Sequence, residues 1–410
     1  MLHPKAILPV ETNPSTKFRE LPFNRVKLAK TQRRFQNRYC LEPDVNLKDY
    51  RCHAVIDFVE FEFTSADPTQ FRYVQDLVES TAPVRKPNVK RRNGTESSAT
   101  EFSVRVQDPT VANLLAISAA IASRFDCAVP PQIRVIEVSV DFYPREPDDA
   151  AREIMVGVLQ RTYRAKHDVY DDPMSRPRFF GAAGKKRFLQ RWFKHTKGRT
   201  DMIAHDAWLD PMRSNVPPVD ATMYFGPKKG DVQIKIMSKV SDQRKRDKKK
   251  VIALSDEAKR ARIEVTLRGD ALSRHGLNTL SDLTDFRFNT LQGDYFHFAL
   301  PTFQERKMGT ARHQGSPAVH QALNERREQH FLRTGIAGLG YVERARKEWM
   351  KRETDEGHSH LRTLRQHLKA RGLFLKRDRS GPDLVAYEAL NEMVQVALKG
   401  LMKREVRGVE

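Results

Sequence analysis

Three carboxylates fall on the polar sides of apolar, β-branched runs, where an acid is costly to bury unless a cation meets it. Glu137 and Asp141 lie in IRVIEVSVDFY (133–143), and Glu264 lies in ARIEVTLRG (261–269). By the two-residue period of a strand, Glu137, Ser139, Asp141 and Tyr143 share one side, and Ile136, Val138, Val140 and Phe142 the other. Glu137 and Asp141 stand roughly 13 Å apart at about 3.3 Å per residue, so each needs a further acid from a neighbouring strand to grip an ion. Two chemistries suit them. Either Arg262, Arg268 and Lys235 neutralise the acids, or the acids hold Mg2+ or Mn2+, hard ions that take carboxylate oxygens and activate a phosphodiester for attack.

Strands must carry these acids, and the flanking segments read as strands. ATMYFGPKKGDVQIKIMSK (221–239) forms two alternating runs joined by Pro227-Lys228-Lys229-Gly230, a hairpin with a four-residue loop. Val232, Ile234 and Ile236 fall on one side of the second run; Gln233, Lys235, Met237 and Lys239 fall on the other. Ile263, Val265 and Leu267 alternate likewise with Arg262, Glu264, Thr266 and Arg268. The expectation is a sheet with one core face and one charged face open to a partner.

The charge of the chain narrows that partner. Its 410 residues carry 73 Lys+Arg against 52 Asp+Glu, a formal net charge of +21. A field of that sign draws polyanions, nucleic acid first and a membrane surface only second. No run has the apolar length to span a bilayer, and the opening MLHPKAILPVETNPSTKFRE is too polar and proline-broken for a signal peptide, so a cytoplasmic location is expected. Cys40, Cys52 and Cys127 lack CxxC spacing, which argues against a disulfide framework and a zinc site.

Between 165 and 220 cations interleave with rings: Arg176, Arg178, Phe179, Phe180, Lys185, Lys186, Arg187, Phe188, Arg191 and Trp192. Cations meet phosphates and rings stack on unpaired bases, which suits single-stranded or melted DNA; an aromatic-cored subdomain with a basic exterior has the same pattern. Lys228, Lys229, Lys235 and the charge run SDQRKRDKKK (241–250), with Arg244 and Lys245, extend the candidates for backbone contact. GAAGKK at 181–186 is too short for a phosphate loop and has no Ser or Thr after its lysine.

In chain order, residues 1–50 read as a basic N-terminal arm broken by Pro4, Pro9, Pro14 and Pro22. A core of 51–300 follows: a strand over 54–64, a helix over 68–80, a strand over 101–106, an Ala-rich helix over 111–125 and the strands above. Residues 301–340 read as a helical linker and 341–410 as a C-terminal helical module. The fold class expected is α+β, a mostly antiparallel central sheet flanked by helices. The C-terminal module has the outline of a winged helix-turn-helix, in which Arg362, Arg365 and Lys369 would face a duplex.

IRVIEVSVD, then TMYFGPKKGDVQIKIMSK, then RIEVTLRG resemble in order and spacing the successive strands of the replication initiation factors of rolling-circle plasmids (the Rep-trans type) and filamentous phages. IDFVEFEF near residue 57 looks like that family's opening strand, and the resemblance covers roughly residues 53 to 300. It implies an enzyme that binds a replication origin and nicks one DNA strand by tyrosine transesterification, with Mg2+ or Mn2+ held by the strand acids. A covalent phosphotyrosyl link conserves the phosphodiester's energy for later rejoining. Carried over by residue, Glu137 and Asp141 match the acidic strand, Glu264 the acid of an R-x-E strand, and Lys239 the lysine after the nucleophile. DNA, duplex and single-stranded, would be the partner, with recruitment of a host helicase and assembly into an oligomer compatible with it.

The nucleophile's usual place holds Met237, which cannot attack phosphate. Tyr143 and Tyr224 are the substitutes. Pairing Gly226 with Asp231 sets Tyr224 opposite Gln233, roughly 13 Å from the level of Met237, whereas Tyr143 lies about 7 Å beyond Asp141, so Tyr143 ranks first. The alternative is an origin-binding initiator or regulator that has lost cleavage.

Overall fold

A computed structural model describes residues 4–11, 17–28, 35–84, 87–94, 98–166, 175–180, 184, 186–189, 210–243, 251–305, 317–355 and 384–407. The strands are β1 (Lys5–Val10), β2 (Lys17–Lys27), β3 (Arg38–Pro43), β4 (Tyr50–Thr69), β5 (Asn88–Arg91), β6 (Ala99–Gln107), β7 (Gln132–Pro144) and β8 (Arg178–Phe180). They continue as β9 (Lys186–Phe188), β10 (Met223–Phe225), β11 (Val232–Lys239), β12 (Ser241–Gln243), β13 (Val251–Ala253), β14 (Arg260–Arg268), β15 (Ala299–Gln304) and β16 (Leu384–Ala386). The helices are α1 (Phe71–Thr81), α2 (Val111–Phe125), α3 (Asp149–Thr162), α4 (Gly269–Arg274), α5 (Thr290–Tyr295), α6 (Pro317–Asp355) and α7 (Glu388–Arg407).

The fold is α+β. A nine-stranded sheet runs β5-β6-β4-β7-β14-β11-β10-β8-β9 with antiparallel neighbours, and a second sheet runs β1-β2-β3-β15-β16. Ile136, Val138 and Val140 on β7, Ile263, Val265 and Leu267 on β14, and Ile234 and Ile236 on β11 are wholly buried on one face. Helix α3, capped by the Asp148 side chain at the Ala150 amide, packs Met155, Val158 and Leu159 into the core beside β7, β11 and β14. It also touches β2, so it lies between the two sheets.

Within the stretch 1–50, expected as an arm, Lys5–Val10, Lys17–Lys27 and Arg38–Pro43 instead form β1, β2 and β3. Ala6, Leu8 and Val10 alternate inward on β1, with Leu21 and Phe23 on β2. Pro9 does not break the pattern because β1 is an edge strand, where a missing N–H leaves no ladder bond unmade. The C-terminal helical module is built into the same body. Strand β16 ends the second sheet, and α7 packs Leu390, Val394 and Leu398 inward and touches β4. The stretch expected as a helical linker contains most of α6, which bends at Gly335 with φ 70°. A Cβ there would lie 2.5 Å from the Arg161 Cα. Arg362, Arg365 and Lys369 lie outside the described residues, as do Lys185, Arg191, Arg244 and Lys245.

Candidate functional site

The polar side of the nine-stranded sheet is less open than alternation implies. Glu137, Ser139, Asp141, Arg262, Glu264 and Thr266 are all buried, while Tyr143, Tyr224, Lys235, Met237 and Lys239 are half-buried around them. Long cationic side chains lie over the acids and take up the space a partner would enter.

Register decides which acids meet. Glu264 pairs with Ser139 and Thr266 with Glu137, so Glu137 and Glu264 sit on neighbouring strands two residues out of step. A third acid, Asp57, joins them. The β4–β7 ladder slips between Ile56 and Phe58, so Asp57 is the extra residue of a bulge, turned to the same side as Glu137. Carboxylate oxygens of Asp57, Glu137 and Glu264 all lie within 4.8 Å of one another.

Asp141, the other predicted ligand, stands apart. Arg262 grips it with two bonds, Nε to Oδ1 at 2.5 Å and Nη2 to Oδ2 at 2.7 Å, and Arg260 Nε lies 2.9 Å from Oδ2. Arg262 also donates from Nη1 to Asp57 at 2.6 Å and to Glu264 at 3.3 Å. Lys235 Nζ bridges Glu137 at 2.7 Å and Glu264 at 2.8 Å, and the Thr266 hydroxyl donates to Glu137. Arg268, expected as a counter-ion, instead reaches the Gly230 carbonyl. Four acids (Asp57, Glu137, Asp141, Glu264) thus face three cations (Lys235, Arg260, Arg262).

The electrostatics follow from that shortfall. Burial, then the neighbouring Glu264, push the Glu137 carboxyl above the ordinary carboxylate range, against the pull of Lys235. Burial would lower Lys235, but its two carboxylates outweigh this and hold it charged. Both shifts are upward because one ammonium is shared by two acids: the lysine is well matched, and one of the acids is not. At Asp57, burial is the largest influence and favours the neutral acid, but Arg262 and Lys239 overcome it and the pKa falls. Ser139, between Glu137 and Asp141, is fully buried, and its hydroxyl has no hydrogen-bond partner. A donor set of three carboxylates beside an idle hydroxyl fits a hard divalent cation, in place of the Lys235 ammonium.

Tyr224 is placed differently from the sequence expectation. Met223 pairs with Ile236, Tyr224 with Lys235 and Phe225 with Ile234, two residues away from the pairing expected. The connection is longer because Gly226, at φ 79°, bonds the Ser175 carbonyl rather than entering the ladder. Tyr224 is therefore the cross-strand neighbour of the lysine that joins Glu137 and Glu264, with Phe180 and Arg178 against its ring. Tyr143 donates its hydroxyl to Asp141 at 3.3 Å, beside the acid that the arginines already saturate. Met237 pairs with Arg262, and Lys239 Nζ lies 3.2 Å from Asp242.

Among the predicted nucleic-acid contacts, Lys228 and Lys229 project at the exposed turn and Lys186 is exposed beside the Phe188 ring. Arg187 is exposed but paired to Glu11 at 2.7 Å. Arg176 and Arg178 are buried, and Arg178, donating to the Gly226 carbonyl at 2.8 Å, holds the hairpin connection rather than facing a partner. Sequence reasoning missed Asp57. Its signal was a change of parity, with Ala54 and Ile56 inward at even numbers and Val59, Phe61 and Phe63 inward at odd ones. Such a switch within one strand requires a bulge at 57–58.

No protein-family model and no curated protein sequence matches the chain. Among solved structures, a class II 3-hydroxy-3-methylglutaryl-CoA reductase from Streptococcus pneumoniae, bound to NADPH, is similar at 11% identity and a TM-score of 0.19, over 98% of this chain and 89% of that one. Overlap that slight leaves the site's own geometry to carry the function. Among the described residues no helix is long and apolar enough to cross a membrane.

Proposed function

We propose that the chain is a replication initiator that binds origin DNA and cuts one strand by transesterification from Tyr224. The observation that carries this is the convergence of Asp57, Glu137 and Glu264 within 4.8 Å, with β11 and its Lys235 between Glu264 and Tyr224. The net charge of +21 favours a nucleic-acid partner, and the resemblance of strands 133–141, 222–239 and 262–269 to rolling-circle initiation factors gives the chemistry. Asp57, Glu137 and Glu264 would hold Mg2+ or Mn2+, which supplies Lewis-acid polarisation of a phosphodiester oxygen. The Tyr224 oxygen attacks phosphorus, the bond to the 3′ oxygen breaks, and the proton lost from the phenol is matched by the one that oxygen takes up. Lys235, the cross-strand neighbour of Tyr224, would offset the charge that develops on the phenol. Arg262 fixes Asp57 and Glu264 in place through its own grip on Asp141.

A second reading, an origin-binding regulator without cleavage, is favoured by one feature: Met237 occupies the place where the resemblance calls for the nucleophile, and Lys235 neutralises the acids. Incubation with supercoiled plasmid carrying the chain's own origin and MnCl2 separates them. A denaturant-resistant protein–DNA adduct that Tyr224→Phe removes and Tyr143→Phe retains supports cleavage from Tyr224. Bound but intact plasmid establishes the regulator instead.

A further inference from the structure

A cleft of about 510 Å3 opens between the end of α4 and the start of α5, and none of the four acids of the cluster lines it. The chain between these helices is pinned to the start of β7: the Ile133 amide donates to the Asn278 carbonyl at 2.8 Å, and Gln132 bridges Thr279. The volume falls within the roughly 300–1,000 Å3 of small-molecule sites. Part of the wall is aromatic. His275 and Phe286, both half-buried, meet edge-on with ring centres 6.3 Å apart, and Phe286 meets Phe288 edge-on at 5.0 Å. The His275 ring is also held by Tyr295, its Nε2 lying 3.0 Å from the phenol oxygen. Burial, against the pull of Asp294, lowers its pKa, so the ring is neutral at pH 7. The rest of the wall carries charge. Asp282 is committed to the backbone, accepting from the Asn278 and Thr279 amides at 2.8 and 2.7 Å. Arg274 is exposed and its side chain makes one long bond, 3.4 Å from Nε to the Asp270 carbonyl. Asp285 and Arg287 are exposed, with no ion pair or side-chain hydrogen bond among the described residues.

One cleft thus brings together a neutral aromatic wall, two guanidiniums with donors to spare and one uncommitted carboxylate. Flat heteroaromatic rings stack on such walls. Guanidinium forks match the oxygens of a phosphate in pairs, and a carboxylate accepts from the exocyclic amine of a base. An apolar ligand would leave the arginines unused, and a bare anion would leave the rings unused. A nucleotide uses all three. We infer that this cleft binds a nucleoside monophosphate, its base against Phe286 and His275, its phosphate on Arg274 and Arg287, and an exocyclic amine on Asp285. Two sources carry that chemistry, a free nucleotide and one nucleotide of a single strand of DNA. The inference stands apart from the carboxylate cluster and does not rest on strand cleavage.

The test is isothermal titration calorimetry of the full chain with adenosine monophosphate, adenosine, inorganic phosphate and an oligodeoxyadenylate, with divalent metal left out. Adenosine and phosphate each make one half of the contact and bind about tenfold or more weaker than adenosine monophosphate. Arg287→Glu, at an exposed position, weakens the nucleotide by about tenfold or more. Asp285→Asn erases the preference for adenosine monophosphate over inosine monophosphate, which has no exocyclic amine; a merely structural role would not move that ratio. Circular dichroism and urea unfolding confirm that each variant folds. Binding of the free nucleotide that responds to both substitutions supports the cleft as a site for free nucleotide. Binding of the oligonucleotide alone, weakened by Arg287→Glu, supports it as a site for a DNA strand. Silence toward both ligands, or binding that neither substitution changes, overturns the inference. Either overturning result leaves cleavage at the carboxylate cluster to be decided by the plasmid assay.

Discussion

Lys235→Met tests the carboxylate cluster most directly. The ammonium lies 2.7 Å from Glu137 and 2.8 Å from Glu264, and its side chain is 20% exposed against 5% for each acid. Methionine keeps the stem's packing and removes the charge, leaving two buried carboxylates facing each other. Breaking a buried pair from one side costs about 3–5 kcal/mol, and partial exposure of the lysine places the loss near the lower figure, about 3 kcal/mol at neutral pH. The loss depends on pH in a definite direction. Glu137 already has a folded pKa above its unfolded one, and losing Lys235 raises it further. A raised carboxyl binds its proton more tightly when folded, so stability falls as pH rises from the unfolded pKa through the folded one. The variant therefore recovers its deficit as pH falls toward the unfolded carboxylate pKa. Mn2+ restores stability at neutral pH if the carboxylates hold it, by about 2.7 kcal/mol at a hundredfold excess over its dissociation constant. Urea unfolding at pH 5 and 7, with and without MnCl2, measures all three. A deficit below about 1 kcal/mol, or one equal at both pH values, refutes the shared-ammonium account.

Three further outcomes follow from the same geometry. Arg262→Met strips Asp141, Asp57 and Glu264 of a common partner and costs about 3–5 kcal/mol, seen as a large drop in urea midpoint or loss of folded protein. Asp57→Asn abolishes stabilisation by MnCl2 whereas Asp141→Asn leaves it, because only Asp57 belongs to the three-carboxylate cluster; equal effects would contradict the placement. Gly335→Ala destabilises by at least about 1–3 kcal/mol in thermal or urea unfolding, since alanine at φ 70° is strained and its Cβ meets the Arg161 backbone.

Periodicity made much of the sheet legible. Helix α2 and strand β7 fall where alternation and helical spacing place them, because local pattern and burial agree there. The second sheet was illegible for a different reason. Strand β1 pairs locally with β2, but the sheet they belong to is completed by β15 and β16, almost 300 and almost 380 residues away, so nothing local marks the sheet that covers them. The site was half legible: Glu137 and Glu264 announce themselves as acids on alternating strands, but register, not spacing, unites them. The two-residue difference at β10 moves Tyr224 from Gln233 to Lys235, and one bulge brings in Asp57. Turn geometry and bulges depend on single backbone conformations, Gly226 among them, that side-chain alternation does not encode.

The charge arithmetic makes Lys235 the pivot of either functional reading. The centre of the cluster is filled by an ammonium about where an ion bound by Glu137 and Glu264 would sit. Two like charges do not share that space, so on the proposed reading ion binding and release of Lys235 are one event, and wild-type affinity is the difference between them. A released Lys235 remains the cross-strand neighbour of Tyr224, which places a cation beside the phenol at the moment its oxygen must bear charge. On the regulator reading the same lysine simply never leaves, and the acids are a buried ion-pair network that fixes the register of β7, β11 and β14. The distinction lies in competition: Lys235→Met tightens Mn2+ binding at least tenfold if the ammonium and the ion exchange, and leaves it undetectable if the network is purely structural.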